Sequence, residues 1–150
     1  EAEKDGLLDM LEVHDWPEAI HGDEVIVTND TEEKRKLKAI KFEEEKKAMI
    51  QICSGLGNVG TKVMDLWLRF ESSDNEAAVF GRQLDKYQAV EKALEYEKEQ
   101  NIPLFDEFYA YTLPSITHPI LVERMSVLRL EWYGLQKKQR FQHRPRRSAV

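Results

Sequence analysis

The segment EAAVFGRQLDKYQAVEKALEYEKEQ, residues 76–100, decides the fold class. Its apolar residues recur three or four positions apart, at Phe80, Leu84, Tyr87, Val90 and Leu94. That spacing places them on one face of an amphipathic α-helix, because 3.6 residues complete each turn. The segment therefore predicts a long helix that buries one side against a core.

Similar patterns predict helices on both sides of this segment. They cover residues 7–14, 32–53, 61–71, 104–111 and 119–136. Asp30 or Thr31 is expected to cap the 32–53 helix, and Asp74 or Asn75 is expected to cap the 76–100 helix. The one strand candidate, residues 24–28, has no evident partner. The sequence therefore predicts an all-α domain.

Length and composition fit one globular domain. The chain has 150 residues, of which 41% are hydrophobic and 33% are charged, so it can bury a sizeable core. No apolar run approaches the roughly 18 residues of a membrane-spanning helix. The single cysteine, Cys53, excludes an internal disulfide framework and a Cys-rich zinc module. A reducing compartment, and hence a cytoplasmic location, is expected.

Charge is distributed unevenly along the chain. The net charge is −6, yet residues 137–150 carry six basic residues and no acidic one, which leaves −12 for residues 1–136. An acidic body repels nucleic-acid backbones. Residues 1–136 are therefore predicted to form the domain and residues 137–150 a disordered basic tail, whose contact with nucleic acid is not favoured. The Lys/Glu runs at 32–47 and 91–99 are expected to form solvated helix faces.

Residues 55–60, GLGNVG, match the G-x-G-x-x-G fingerprint of dinucleotide-binding proteins. That motif requires a strand before it and a helix after it. A charged helical run precedes it here, so we interpret it as a glycine-rich connection between two helices. Cys53, next to Ile52 and near Leu56, is expected to be a small buried hydrophobe and not a nucleophile.

A dense polar cluster, HDWPEAIHGD, occupies residues 14–23. The adjacent His14 and Asp15 can direct an imidazole and a carboxylate at one cation, in a combination suited to Mn²⁺, Co²⁺ or Fe²⁺. The break at Pro17 lets Glu18 and Asp23 curl back over the same place. Two interpretations remain open from these residues, a metal site or a helix end followed by a solvated acidic loop.

Asp85 is the second polar feature, because it lies near the centre of the apolar stretch of the 76–100 helix. An aspartate in mid-helix is unfavourable by propensity and costly if it is buried without a partner. A metal ion would compensate that cost. Alternatively, Asp85 lies on the wet face and pairs with Lys86 or with Arg82.

Together these residues resemble the HD-domain metal-dependent phosphohydrolases, and among them most closely the 5′-deoxynucleotidases. The strings that carry the resemblance are His14-Asp15-Trp16-Pro17-Glu18, Gly22-Asp23, Asp65 to Glu71, Glu76-Ala77, Gln83 to Lys86, Ala93 to Glu97, Phe108-Tyr109 and His118-Pro119. They occur in order and cover the chain from about Gly6 to Trp132.

The resemblance implies an HD-domain helical bundle that hydrolyses deoxyribonucleoside 5′-monophosphates to nucleoside and phosphate. The implied ligands of a divalent Mn²⁺, Co²⁺ or Mg²⁺ ion are His14, Asp15 and Asp85. Glu18 and Asp23 would serve catalysis or hold a second cation. Substrate would contact Asp23, Glu24 and Lys86.

One departure from the family pattern affects these expectations. The family's first metal-binding His precedes the His-Asp doublet, yet none of the thirteen residues before His14 is a histidine. We expect a chain that begins inside a longer protein, whose exposed apolar surface would favour a homodimer. The alternatives are a catalytically impaired scaffold that binds partners and an HD hydrolase of another nucleotide phosphoester.

Overall fold

A computed structural model describes residues 2–23, 26 and 30–142, and among these it contains helices and no strand. The α-helices are α1 (Ala2–Val13), α2 (Glu18–His21), α3 (Thr31–Cys53), α4 (Gly57–Ser72), α5 (Glu76–Gln100), α6 (Phe105–Thr112) and α7 (Pro119–Gln142), with a 3-10 turn at Leu113–Ser115 after α6. The predicted all-α class is confirmed. The strand candidate at residues 24–28 lies, except for residue 26, outside the described residues.

Side-chain caps fix the starts of the two long central helices. Asp30 Oδ1 accepts a hydrogen bond from the Glu33 N–H at 2.8 Å at the start of α3. Asn75 Oδ1 accepts one from the Ala78 N–H at 2.8 Å at the start of α5. Each cap satisfies an amide that the first helical turn leaves without a partner. Of each predicted pair of caps, the structure selects one.

Two helix boundaries differ from the sequence prediction. α7 continues to Gln142, six residues past the predicted end at Gln136, because Gln, Lys and Arg are good helix formers and no Pro or Gly interrupts residues 137–142. α4 begins at Gly57 and not at Thr61. Its first turn therefore contains two of the glycines of the 55–60 motif.

The chain divides into two compact units, Glu1–Gly81 and Arg82–Val150, and each is described by itself. In the first unit, α4 packs against α1 and α3. Trp67 of α4 is fully buried, and its ring stacks on Phe42 of α3 with the centroids 5.5 Å apart. Val13 at the end of α1, Met49 of α3 and Val63 of α4 complete the buried residues of this core cluster.

The second unit is organised around two buried polar side chains of α5. Gln83 Oε1 accepts the backbone N–H groups of Thr117 and His118, at 2.7 and 2.9 Å. Glu97, which is only 3% exposed, accepts hydrogen bonds from four donors. These are the backbone N–H groups of Leu104 and Phe105 and the side chains of Trp132 and Gln136. The expectation that residues 91–99 form a solvated face is therefore wrong at Glu97.

No helix in the described part of the chain combines the length and the apolar character that crossing a lipid bilayer requires.

Candidate active site

The polar cluster is built on a tight turn between α1 and α2. Backbone hydrogen bonds join the Trp16 N–H to the Val13 carbonyl at 3.2 Å and the Glu18 N–H to the Asp15 carbonyl at 3.0 Å. Pro17 is fully buried, and the Trp16 side chain packs on the core of the first unit. Core packing of Trp16 and Pro17 thus fixes the turn that carries the polar side chains.

His14 is held in a defined orientation. Its Nδ1–H donates to the Leu11 carbonyl oxygen at 2.7 Å, and its ring contacts Phe70 of α4 with the centroids 4.8 Å apart. Because Nδ1 donates to this carbonyl, Nε2 is the nitrogen that can offer a lone pair when the imidazole is neutral. A backbone carbonyl that fixes the second nitrogen in this way is usual for metal-binding histidines.

The partner of Nε2 is the neighbouring carboxylate. His14 Nε2 lies 3.0 Å from Asp15 Oδ1, and the Asp15 side chain is exposed on its other side. A contact of this length fits a protonated imidazole paired with the carboxylate, and it also fits a neutral imidazole and the carboxylate with a cation between their lone pairs. Imidazole nitrogen with carboxylate oxygen is also a donor set that binds divalent transition metals. The pair therefore fits a metal ion as two of its ligands.

Glu18 opens α2 among other acidic groups. Partial burial raises the pKa of Glu18, and the carboxylates of Asp15 and Asp23 raise this pKa further. Both effects favour the protonated, neutral form of the carboxyl group. Asp23 lies two residues after α2, where its Oδ1 is 3.4 Å from Lys41 Nζ. The structure thus brings Glu18 and Asp23 into the neighbourhood of Asp15.

The sequence analysis missed two residues of this cluster, Lys41 and Glu45. Lys41 Nζ lies 3.6 Å from Glu45 Oε1, and the two side chains are only 23% and 14% exposed. Burial raises the pKa of Glu45, Lys41 lowers it, and Glu71 of α4 raises it. The expectation of a solvated face at 32–47 is therefore wrong here. The available signal was their spacing, because both lie on the helix face that carries the buried Met49.

Three predicted site residues are not among the described residues of the first unit. Asp85 is half-buried on α5, in the second unit, and the adjacent Lys86 is exposed. Glu24 lies outside the described residues. The roles of all three stay predictions. Within the part of the chain that the structure describes, no three His, Cys, Asp or Glu side chains form a cluster that could hold a metal ion.

The glycine motif is a helix connection, as the sequence predicts. α3 and not a strand precedes it, and Gly60 is buried in the first turn of α4. A Cβ atom at Gly60 would lie 2.3 Å from the Cys53 carbonyl oxygen, so the glycine serves close helix contact. Burial raises the pKa of the Cys53 thiol, which disfavours the nucleophilic thiolate.

Comparison with known proteins gives matches over most of the chain. The HD domain family matches residues 1–121. The 5′-deoxynucleotidase HDDC2 of Mus musculus is 32% identical over 130 residues, which cover 85% of this chain and 62% of that protein. The protein of the same name from Dictyostelium discoideum is 30% identical over 125 residues, or 80% of this chain and 63% of that protein. The chain thus spans about three fifths of the length of these relatives.

Proposed function

This chain belongs to the HD-domain family, and from that membership we propose that it acts as a metal-dependent phosphohydrolase that removes the 5′-phosphate of deoxyribonucleoside monophosphates. The relatives that support this choice of substrate are named 5′-deoxynucleotidase and are 30–32% identical to this chain. Because the chain spans three fifths of their length, the substrate is part of the proposal.

The observation that carries the proposal is the geometry of His14 and Asp15. The doublet that gives HD domains their name has its nitrogen and oxygen 3.0 Å apart, and the Leu11 carbonyl orients the imidazole. This arrangement turns Nε2 toward the carboxylate of Asp15, and it supports a site where a cation would lie between the two groups.

His14 and Asp15 would hold a divalent Mn²⁺, Co²⁺ or Mg²⁺ ion, and the family resemblance assigns Asp85 of α5 as a further ligand. When bound, such an ion would supply positive charge to the phosphoryl group and its attacking water. The protein holds the imidazole through the Leu11 carbonyl, so that Nε2 is available without rotation of the ring.

Glu18 is the proposed general acid or base. Its carboxyl oxygens would carry the proton, because burial and the neighbouring carboxylates already raise its pKa. Asp23 would orient the substrate or hold a second cation, and Glu24 and Lys86 would contact the substrate. These roles rest on the resemblance and on the acidic surroundings that Glu18 and Asp23 share.

The test is phosphate release from a panel of deoxyribo- and ribonucleoside 5′-monophosphates with Mn²⁺, Co²⁺ or Mg²⁺. We expect metal-dependent release that prefers the deoxy substrates and stops in EDTA. Asp15→Asn and Asp85→Ala should each reduce release by about a hundredfold or more, because a metal ion supplies several kcal/mol of charge stabilisation. Asp9→Asn, an exposed change on α1, is the matched control.

Nucleoside triphosphates and cyclic nucleotides, added to the panel, separate the alternatives. Release from nucleoside triphosphates or cyclic nucleotides alone would indicate an HD hydrolase of another phosphoester. No release under any condition, with Mn²⁺ bound or not, would contradict the proposal and favour a scaffold that binds partners. A homodimer and a cytoplasmic location remain predictions of the sequence.

A further inference from the structure

Lys41 connects two parts of the site that are distant in sequence. It lies within α3, and its Nζ is 3.4 Å from Oδ1 of Asp23, eighteen residues earlier in the chain. Asp23 follows Gly22, whose φ of 77° turns the chain away from α2. Asp23 follows the end of α2, and the ammonium group of Lys41 contacts its carboxylate from α3.

The same ammonium group lies among several carboxylates. It is 3.6 Å from Glu45 Oε1, and its charge lowers the pKa of both Glu45 and Glu18 against the opposing effect of burial and other acids. Asp15 and Asp23 contribute to that opposing effect at Glu18. A phosphate monoester that enters this neighbourhood is repelled by each ionised carboxylate, and a half-buried cation offsets this repulsion better than a fully solvated one.

We propose that Lys41 is a positioning residue of the active site, which holds the Asp23 carboxylate in place for substrate and offsets the negative charge of the carboxylates around it. The inference rests on the proposed phosphohydrolase function and extends it to a residue of α3. Lys41 acts on the substrate through Asp23, so its loss should weaken substrate binding more than it changes the metal site.

The test compares Lys41→Met, which keeps the length of the side chain and removes its charge, with Lys41→Arg, which keeps the charge. Lys38→Met is the matched control, because Lys38 is exposed on the same helix, about one turn earlier. Each variant is measured for kcat and KM with a deoxyribonucleoside 5′-monophosphate. Mn²⁺ affinity is measured by calorimetry without substrate, and Tm by thermal denaturation.

We expect Lys41→Met to raise KM about tenfold, a loss of about 1.4 kcal/mol, with a smaller change in kcat. Lys41→Arg should restore KM to within about threefold, and Lys38→Met should leave it unchanged. Mn²⁺ affinity should stay the same or increase, because removing a positive charge does not repel a cation. The double variant Lys41→Met/Asp23→Asn should show less than the sum of the two single effects on KM, because the two changes share the interaction between Lys41 and Asp23.

Three results would overturn the inference. The first is a KM for Lys41→Met equal to that of Lys38→Met. The second is full additivity of the two changes in the double variant. The third is a joint loss of Mn²⁺ affinity and of more than about 5 °C in Tm, which would show a structural role, since an ion pair of this kind contributes little to stability.

Phosphate release by the wild-type protein tests the proposed function separately from the inference about Lys41. If the wild type releases no phosphate from any deoxyribonucleoside monophosphate, the function and the inference that rests on it are both refuted. If the wild type is active and Lys41→Met equals the Lys38→Met control, only the inference is refuted.

Discussion

Glu45 shows how the site affects the stability of the fold. Its carboxyl is half-buried in α3, and burial, followed in the same direction by Glu71, raises its pKa above 4.5. The folded protein therefore binds this proton more tightly than the unfolded chain does. The stabilisation from this group is fully present below the unfolded pKa and is lost as the pH rises through the higher pKa of the folded state. At neutral pH Glu45 therefore contributes less to stability than it does at low pH.

We therefore expect Glu45→Gln to raise Tm at pH 7 and to leave Tm nearly unchanged at pH 4, where the wild-type carboxyl is largely protonated. Thermal denaturation at both pH values measures the difference. Glu43→Gln, an exposed change on the same helix, serves as the control. A lower Tm for Glu45→Gln at pH 7 would mean that its ion pair with Lys41 outweighs the cost of burial.

Glu97 is a buried carboxylate of a different kind, because both of its oxygens accept two hydrogen bonds. In Glu97→Gln an amide group replaces one oxygen and faces two donors that then lack an acceptor. We expect a loss of about 1.5–3 kcal/mol in the free energy of unfolding, measured by urea denaturation. Glu99→Gln, at an exposed position of α5, should change it little.

The sequence predicts the role of a single residue correctly where the partners of that residue are close in the chain. The caps Asp30 and Asn75 act within the next helical turn, so their types and positions sufficed. The charged-run pattern places Lys41 and Glu97 on solvated faces, because it does not include their distant partners. Asp23 lies 18 residues from Lys41, and Trp132 and Gln136 lie 35 and 39 residues from Glu97. A composition rule for charged runs contains no information about such partners.

Among the elements, the junction of α3 and α4 depends most directly on one residue. At Gly60 a Cβ atom would lie 2.3 Å from the Cys53 carbonyl oxygen, which is backbone and has little room to move. Gly60→Ala should therefore destabilise the protein by about 1–3 kcal/mol, as overpacking does. Gly6→Ala in α1 meets no atom within 4 Å, and there the higher helix propensity of alanine should stabilise by up to about 1 kcal/mol.

Urea denaturation of the two alanine variants checks this contrast. Equal effects at Gly60 and Gly6 would mean that helix propensity decides both positions and that the contact between α3 and α4 relaxes without cost. The same junction explains why the G-x-G-x-x-G pattern misleads when it is considered without its context. Glycines that allow a backbone to approach a pyrophosphate equally allow one helix to approach another.

Helix existence was easier to predict from the sequence than helix extent. The apolar spacing of residues 76–100 gave α5 with its observed bounds, because its start has a cap and its end is followed by Asn101 and Pro103. The end of α7 was placed too early at Gln136, because a change in charge was interpreted as the end of the domain. Helix propensity in residues 137–142 depends on side-chain type and is not lowered by net charge alone.

For the whole molecule, metal binding should appear as a change in stability. A ligand that binds only the folded state at a hundred times its Kd stabilises it by about 2.7 kcal/mol, or roughly 5–10 °C in Tm for a chain of this length. We expect such an increase with Mn²⁺ over EDTA in the wild type and not in Asp15→Asn. An equal increase in the variant would locate the cation elsewhere.

The two buried polar side chains of α5, Gln83 and Glu97, also govern the order in which parts of the second unit unfold locally. Gln83 holds the amides of Thr117 and His118 before α7, and Glu97 holds those of Leu104 and Phe105 at the start of α6. Local fraying of a helix end does not release any of these four amides. Each amide loses its hydrogen bond only when the Gln83 or Glu97 side chain of α5 moves away from it. In deuterated water they should exchange together and slowly, as one cooperative opening, while the amides at the C-terminal end of α7 exchange first. The chain segments before and after α6 are therefore expected to stay closed for as long as α5 stays folded.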